Sequence, residues 1–184
     1  PAPYPWPRPP GDRRKLYLEC VEGARFEEKR RAWGGYLFDR GMDHRWAGWN
    51  LEAEAYYRET LRLDPGHADA WVHLGNIRFE EGRVTEALAF YERGQAAAEA
   101  RTIGDPAHYP GLFWGDVRSR PFMRALNGRA RCLWRLGRRD EARQVFAWML
   151  ELNPNDNQGI RFLLPDIDEG LSWEESVARD AERT

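Results

Sequence analysis

Small and large side chains recur along this chain at one fixed beat. A glycine stands five residues before an alanine, and an aromatic follows four residues after that alanine. The copies are Gly48, Ala53 and Tyr57; Gly82, Ala87 and Tyr91; and Gly137, Ala142 and Phe146. In the first and third copies a proline, Pro65 or Pro154, comes twelve residues after the alanine. A recurring pattern of this kind predicts stacked pairs of antiparallel helices. The alanines, with Gly41, Gly75 and Ala130 in the preceding helices, mark where backbones approach most closely. The aromatics fill the space between neighbouring hairpins. Gly48, Gly82 and Gly137 end the first helices, where a left-handed conformation costs glycine little. Leu63-Asp64-Pro65 and Leu152-Asn153-Pro154 end the second helices, because proline cannot continue the hydrogen-bond ladder.

The middle copy is the most complete. Trp71, Leu74 and Gly75 are followed by Ala87 and Tyr91, giving W-x2-L-G and then A-x3-aromatic, and Ala53 to Ala87 is one 34-residue step. This resembles the tetratricopeptide repeat (TPR) family over roughly two thirds of the chain. The resemblance implies an all-α, right-handed helix-hairpin solenoid, a TPR-like α-α superhelix. Repeats one and two would occupy residues 34–101 and repeat three 123–156. It also implies a non-catalytic scaffold or adaptor that presents a surface to a protein or peptide partner, since such arrays build surfaces without naming what docks there.

The segments outside the repeats read differently. Residues 1–11 are dominated by proline and are expected to be extended, with Tyr4 and Trp6 packing on the chain's own repeats. Residues 12–33 read as an N-terminal capping helix region, with Gly34-Gly35 as a point where the helix breaks or bends. Ala87 to Ala142 exceeds one repeat by 21 residues. The excess is an insertion at 102–122 whose turn residues predict a long loop. Phe113 and Trp114 within it read either as a plug between repeats two and three or as an exposed lid. Ser119 is expected to cap the next helix, with Pro121 in its first turn. The second repeat has Glu99 in place of the terminal proline, so its last helix should run on to about Arg101. Residues 157–184 form a degenerate capping repeat, in which Ser172-Trp173-Glu174-Glu175 reads as a capping box. The position late in the first helix, usually aromatic in this family, holds His44, Arg78 and Leu133, which predicts a weakened contact there.

Composition narrows the function classes. Hydrophobic residues make up 42% of the 184 positions and charged residues 32%, with a net charge of −2. That charge argues against bulk electrostatic capture of nucleic acid. No apolar run is long enough for a membrane helix, and the proline-rich start lacks a signal-peptide pattern. A cytoplasmic protein is the expectation. Cys20 and Cys132 have no metal or redox spacing and read as reduced thiols. His67 and His73 are six residues apart, which does not place both on one helix face for a metal. No phosphate loop and no hydrolase or metalloprotease motif is present. No catalytic residue, metal or cofactor is therefore assigned.

The candidate chemistry is on the first helices of the hairpins, which line the groove in proteins of the resembled family. Arg124, Asn127, Arg131 and Arg135 recur at three- and four-residue spacing and share one helical face. Asn76 faces them from the neighbouring repeat, and Phe79 and Trp134 flank them. Forked guanidinium hydrogen bonds at such a site suit the carboxylate of an acidic or C-terminal peptide. Asp69 and Val72 fall on the same groove by register, and Arg161 would join it from the fourth half-unit. The set is only loosely similar to the carboxylate clamp of chaperone-binding members, because Gly128 and Phe38 stand where polar groups are needed. A solvated basic face paired with acids such as Glu80 and Glu81 is the plainer alternative. Two other functions stay open: self-association into a homo-oligomer through the aromatic-rich insertion, and binding of single-stranded RNA by arginine and tryptophan.

Overall fold

The computed structural model describes residues 27–103 and 113–182. The proline-rich leader, most of the segment expected to cap the N-terminus and the centre of the insertion lie outside these residues. Every regular element among the described residues is helical, and the chain divides into two compact units, Pro1–Pro65 and Gly66–Thr184.

The described part of the first unit is one hairpin, α1 (Glu27–Trp46) and α2 (Asn50–Leu63). Acids Glu27 and Glu28 open α1 and His44 and Arg45 close it, matching the helix dipole at both ends. Trp33, Gly34, Leu37 and Gly41 form the buried stripe of α1. They meet Ala53, Tyr56, Tyr57 and Thr60 of α2, all buried. A side chain at Gly41 would place its Cβ 2.6 Å from the Tyr57 ring, so glycine is required by contact there. The expected break at Gly34-Gly35 does not occur, and α1 runs through both residues without interruption. Gly34 is buried where α1 crosses α2, and its carbonyl accepts a hydrogen bond from the Thr60 hydroxyl at 3.3 Å. Packing against α2 outweighs the roughly 1 kcal/mol helix penalty of a glycine.

The second unit holds two further hairpins. They are α3 (Ala68–Glu80) with α4 (Val84–Ala98), and α5 (Arg120–Arg135) with α6 (Arg139–Leu152). Each of the three hairpin turns closes alike. After α1, α3 and α5 the glycine (Gly48, Gly82, Gly137) has positive φ and donates to the carbonyl three residues back. The next residue donates to the carbonyl five back, as Arg83 does to Arg78 at 2.9 Å. This paired closure satisfies carbonyls the helix would otherwise leave open. Beyond Ala98, α4 runs on into a wider helical turn, Glu99–Ile103, as the absence of a proline there suggested.

The positions expected to have weakened contacts still pack. His44 stacks on Tyr56 with centroids 4.9 Å apart. Leu133 is fully buried, and Arg78 is buried with its guanidinium 3.0 Å from Glu81. The end of the insertion fills space rather than covering a surface. Phe113 is buried, its N–H donates to the Leu152 carbonyl at 3.1 Å, and its ring lies 5.4 Å from Phe122. Ser119 does not cap α5 as expected. Its hydroxyl turns back to the carbonyls of Phe113 and Asp116, and the Asp116 carboxylate caps the short turn Val117–Ser119 instead.

Beyond α6 come a short turn at Ile160–Phe162, α7 (Leu164–Asp168) and α8 (Trp173–Glu182). The capping box at the start of α8 forms. Glu175 accepts from the Ser172 backbone at 2.7 Å, and its own N–H donates to the Ser172 hydroxyl at 3.3 Å. Buried Asp166 ties the segment together by accepting from Ser176 and Arg179.

Candidate functional site

The site is in the second unit, where α3 and α5 are side by side. Tyr91 of α4 forms its floor. A Cβ at position 128 would fall 2.2 Å from the Tyr91 ring, so only glycine lets the tyrosine pass beneath α5. The Tyr91 hydroxyl donates to Asn76 Oδ1 at 2.7 Å, and burial pushes its pKa up, so it stays a neutral donor. Above this floor is a cavity of about 360 Å³. Val72 and Phe79 give it apolar walls, and Asn76, Glu80, Arg124, Asn127, Arg131 and Gln158 give it polar ones.

The three arginines expected on the α5 face have different fates. Arg124 closes one end in a forked pair with Asp69, at 2.9 Å from Nε to Oδ1 and 2.7 Å from Nη2 to Oδ2. Arg135 is engaged three ways: Nε to Glu174 at 2.9 Å, Nη1 to the Phe79 carbonyl at 3.1 Å, and its plane over the Phe79 ring. Arg131 has no such ion pair among the described residues. Burial pulls its pKa down, with Tyr91 a weaker opposing influence, and its guanidinium is 5.7 Å from the Trp173 ring centroid. Its Nε is buried with no hydrogen-bond partner among the described residues, as are Asn127 Oδ1 and Gln158 Oε1. The acids that neutralise this face are thus Asp69 and Glu174, which the sequence reading did not pair with it.

Five of the seven residues singled out from sequence line one cavity: Asn76, Phe79, Arg124, Asn127 and Arg131. Trp134 does not. It is 1% exposed, its indole N–H donates to the Leu171 carbonyl at 2.8 Å, and Trp173 meets it edge-on. Arg135 is outside the cavity with it. Arg161, expected from the fourth half-unit, turns its guanidinium to the Pro154 carbonyl, and Gln158, three residues earlier, takes that place. Trp173 was also not anticipated. It packs edge-on against Phe79, an apolar wall of the cavity, with centroids 5.5 Å apart. No local spacing announces either residue, because both arrive from the segment after the last repeat.

Among the described residues no group of histidine, cysteine, aspartate and glutamate could hold a metal. Cys132 is fully buried, and burial pushes its thiol up to about 12, which makes it inert as a nucleophile. Among the described residues no helix is long and apolar enough to cross a membrane.

Paired helices closed by glycine turns, with small residues under each crossing, define a helical-repeat scaffold. The tetratricopeptide repeat family model matches residues 38–101 and 117–157, and the chain belongs to that family. The break in the match falls within the insertion. No curated protein sequence matches the chain significantly. Among solved structures it is similar to the N-terminal domain of stress-induced protein-1 (STI-1) from C. elegans, with a TM-score of 0.56 at 14% identity, covering 76% of this chain and 97% of that one. At that identity the likeness concerns the fold. The tetratricopeptide fold is typical of non-catalytic protein-interaction modules, which supports a general protein-binding scaffold role.

Proposed function

We propose that this protein is a non-catalytic scaffold or adaptor whose second unit docks an acidic or C-terminal peptide in the cavity between α3 and α5. One observation carries the reading: Arg131 is a desolvated cation without an acidic partner among the described residues. A buried charge left uncompensated is costly, and an incoming carboxylate relieves that cost with a charge-assisted hydrogen bond. Asn127, one turn before it, and Asn76 across the cavity supply polar contacts. Val72 and Phe79 receive an apolar side chain. Arg124 shapes the end of the cavity through Asp69 and is not itself the anchor. Trp134 and Arg135 support the wall from behind.

Two observations favour this reading over the alternatives. Phe113, on which self-association through the insertion partly rested, is buried. Trp134, the tryptophan on the arginine face, is buried, and two of the three arginines there hold acids, which favours a peptide over single-stranded RNA at this face.

The test is selection from a display library of random peptides with free C-termini, followed by fluorescence anisotropy on the winners. Peptides carrying a carboxylate near the terminus should be enriched, and Arg131→Glu should weaken them at least tenfold. A library that yields no binder, or binders indifferent to Arg131→Glu, refutes the reading.

A further inference from the structure

The first turn of α8 covers part of the face that α3 and α5 present beside the cavity. Trp173 packs edge-on to both Phe79 and Trp134, with centroids 5.5 Å and 5.4 Å away. Arg131 holds its guanidinium 5.7 Å from the same ring. Glu174 accepts from Arg135 Nε at 2.9 Å. Just before them in sequence, the Leu171 carbonyl takes the indole N–H of Trp134 at 2.8 Å. An aromatic side chain and the carboxylate next to it thus occupy an aromatic floor bordered by two arginines.

That floor is shaped by α3 and α5 themselves. Arg135 donates to the Phe79 carbonyl at 3.1 Å and lies over the Phe79 ring, so α3 positions this cation independently of Glu174. Phe79 and Trp134 supply ring surface for another aromatic to meet edge-on. A cation suits the face of that incoming ring, and a guanidinium suits a carboxylate beside it.

The helix that fills this place is lightly held. α8 has ten residues, a length at which a helix is marginal on its own. Its buried residue, Ser176, binds Asp166 of α7, and so does Arg179, which ties α8 to α7 and not to the floor. Val177, Ala178 and residues 180–182 are exposed. The Glu174 side chain is 62% exposed, so solvent screens its pair with Arg135. An element docked chiefly through one ring and one screened ion pair belongs to the part of a fold that opens first.

We propose that α8 is a displaceable strap, and that the surface beneath its first turn receives a partner segment in which an aromatic residue is followed by an acidic one. Trp173-Glu174 occupies the surface until such a partner arrives. The partner's aromatic ring takes the place of Trp173 on Phe79 and Trp134, and its carboxylate takes the place of Glu174 on Arg135. The inference does not rest on a carboxylate docking in the cavity, because a different set of side chains makes the contacts.

The experiment uses a labelled peptide of residues 170–180, acetylated and amidated so that it brings no terminal carboxylate to the cavity. Fluorescence anisotropy compares its binding to the full chain and to full-length Trp173→Ala. The variant, its surface vacated, should bind about tenfold or more tightly than the unaltered chain, and a peptide carrying Trp173→Ala or Glu174→Lys should lose that gain. Amide exchange of the unaltered chain supplies a second readout that does not depend on the variant folding. Amides of α8 should exchange about tenfold or more faster than those of α5. Equal peptide binding by the two proteins would overturn the inference. So would α8 amides as slow as those of α5, and in a chain that sediments as a dimer that result would assign the surface to the α8 of a second copy.

Discussion

Tyr91 of α4 lies so close beneath Gly128 of α5 that a methyl group at 128 would sit 2.2 Å from its ring. Tyr91 is 3% exposed and tied to Asn76, so the ring cannot swing away. Gly128→Ala should therefore destabilise the fold by about 1–3 kcal/mol, although alanine is the better helix former. Urea unfolding reads this directly. An unchanged midpoint would mean that the two hairpins do not meet as described.

The Arg124–Asp69 pair links α5 to α3 across 55 residues of sequence. Arg124 is 37% exposed and Asp69 18%, so solvent screens much of the attraction. A double-mutant cycle with Arg124→Met and Asp69→Asn should give a coupling of about 0.5–1 kcal/mol at low salt, shrinking in 0.5 M salt. A coupling several times larger would show that the pair is a structural lock and not a shaped end wall.

Trp173 joins the terminal segment to the hairpins through Phe79 and Trp134. Trp173→Ala removes two edge-on aromatic contacts, one of them to Phe79 of the cavity wall. Expected costs are about 2–4 kcal/mol of stability, together with faster amide exchange in α8. Exchange unchanged in α8 would contradict the docking of this segment on α3 and α5.

Alkaline pH should weaken the fold. Burial raises the Cys132 thiol and the Tyr57 phenol each to about 12, and raises Tyr91 as well. The unfolded chain loses these protons first as pH climbs past about 9, so the folded state then binds more protons and stability falls. Below about pH 8 these groups are neutral in both states and contribute no pH dependence. Unfolding midpoints at pH 8 and pH 10.5 check the sign. In a Cys20→Ser variant, Cys132 should resist thiol reagents in native buffer and react fully in denaturant.

The hairpins were legible because their determinants are local. Gly82 ends a helix by its own dihedral, Ala87 and Tyr91 follow at fixed steps, and a stripe such as Arg124, Asn127 and Arg131 shares a face by helical geometry alone. What stayed hidden depends on partners far along the chain. Trp134 is one step along the helix from Arg131 but lies on its buried side, facing Leu171 and Trp173. Whether Arg124 or Arg131 was the available cation turned on Asp69, and Arg135 was taken by Glu174, 39 residues away. Gly34-Gly35 misled in the opposite direction, because a weak local preference yielded to the packing of α1 on α2.

The most direct measurement follows the Arg131 side chain itself. Its Nε–H resonance can be assigned in an arginine-labelled sample by its loss in Arg131→Met. On titration with a selected acidic peptide it should shift saturably, while the Nε–H of Arg138, already held by Glu141 at 2.7 Å, should stay in place. A peptide that binds and leaves the Arg131 signal unmoved would contradict the assignment of this cation as the anchor.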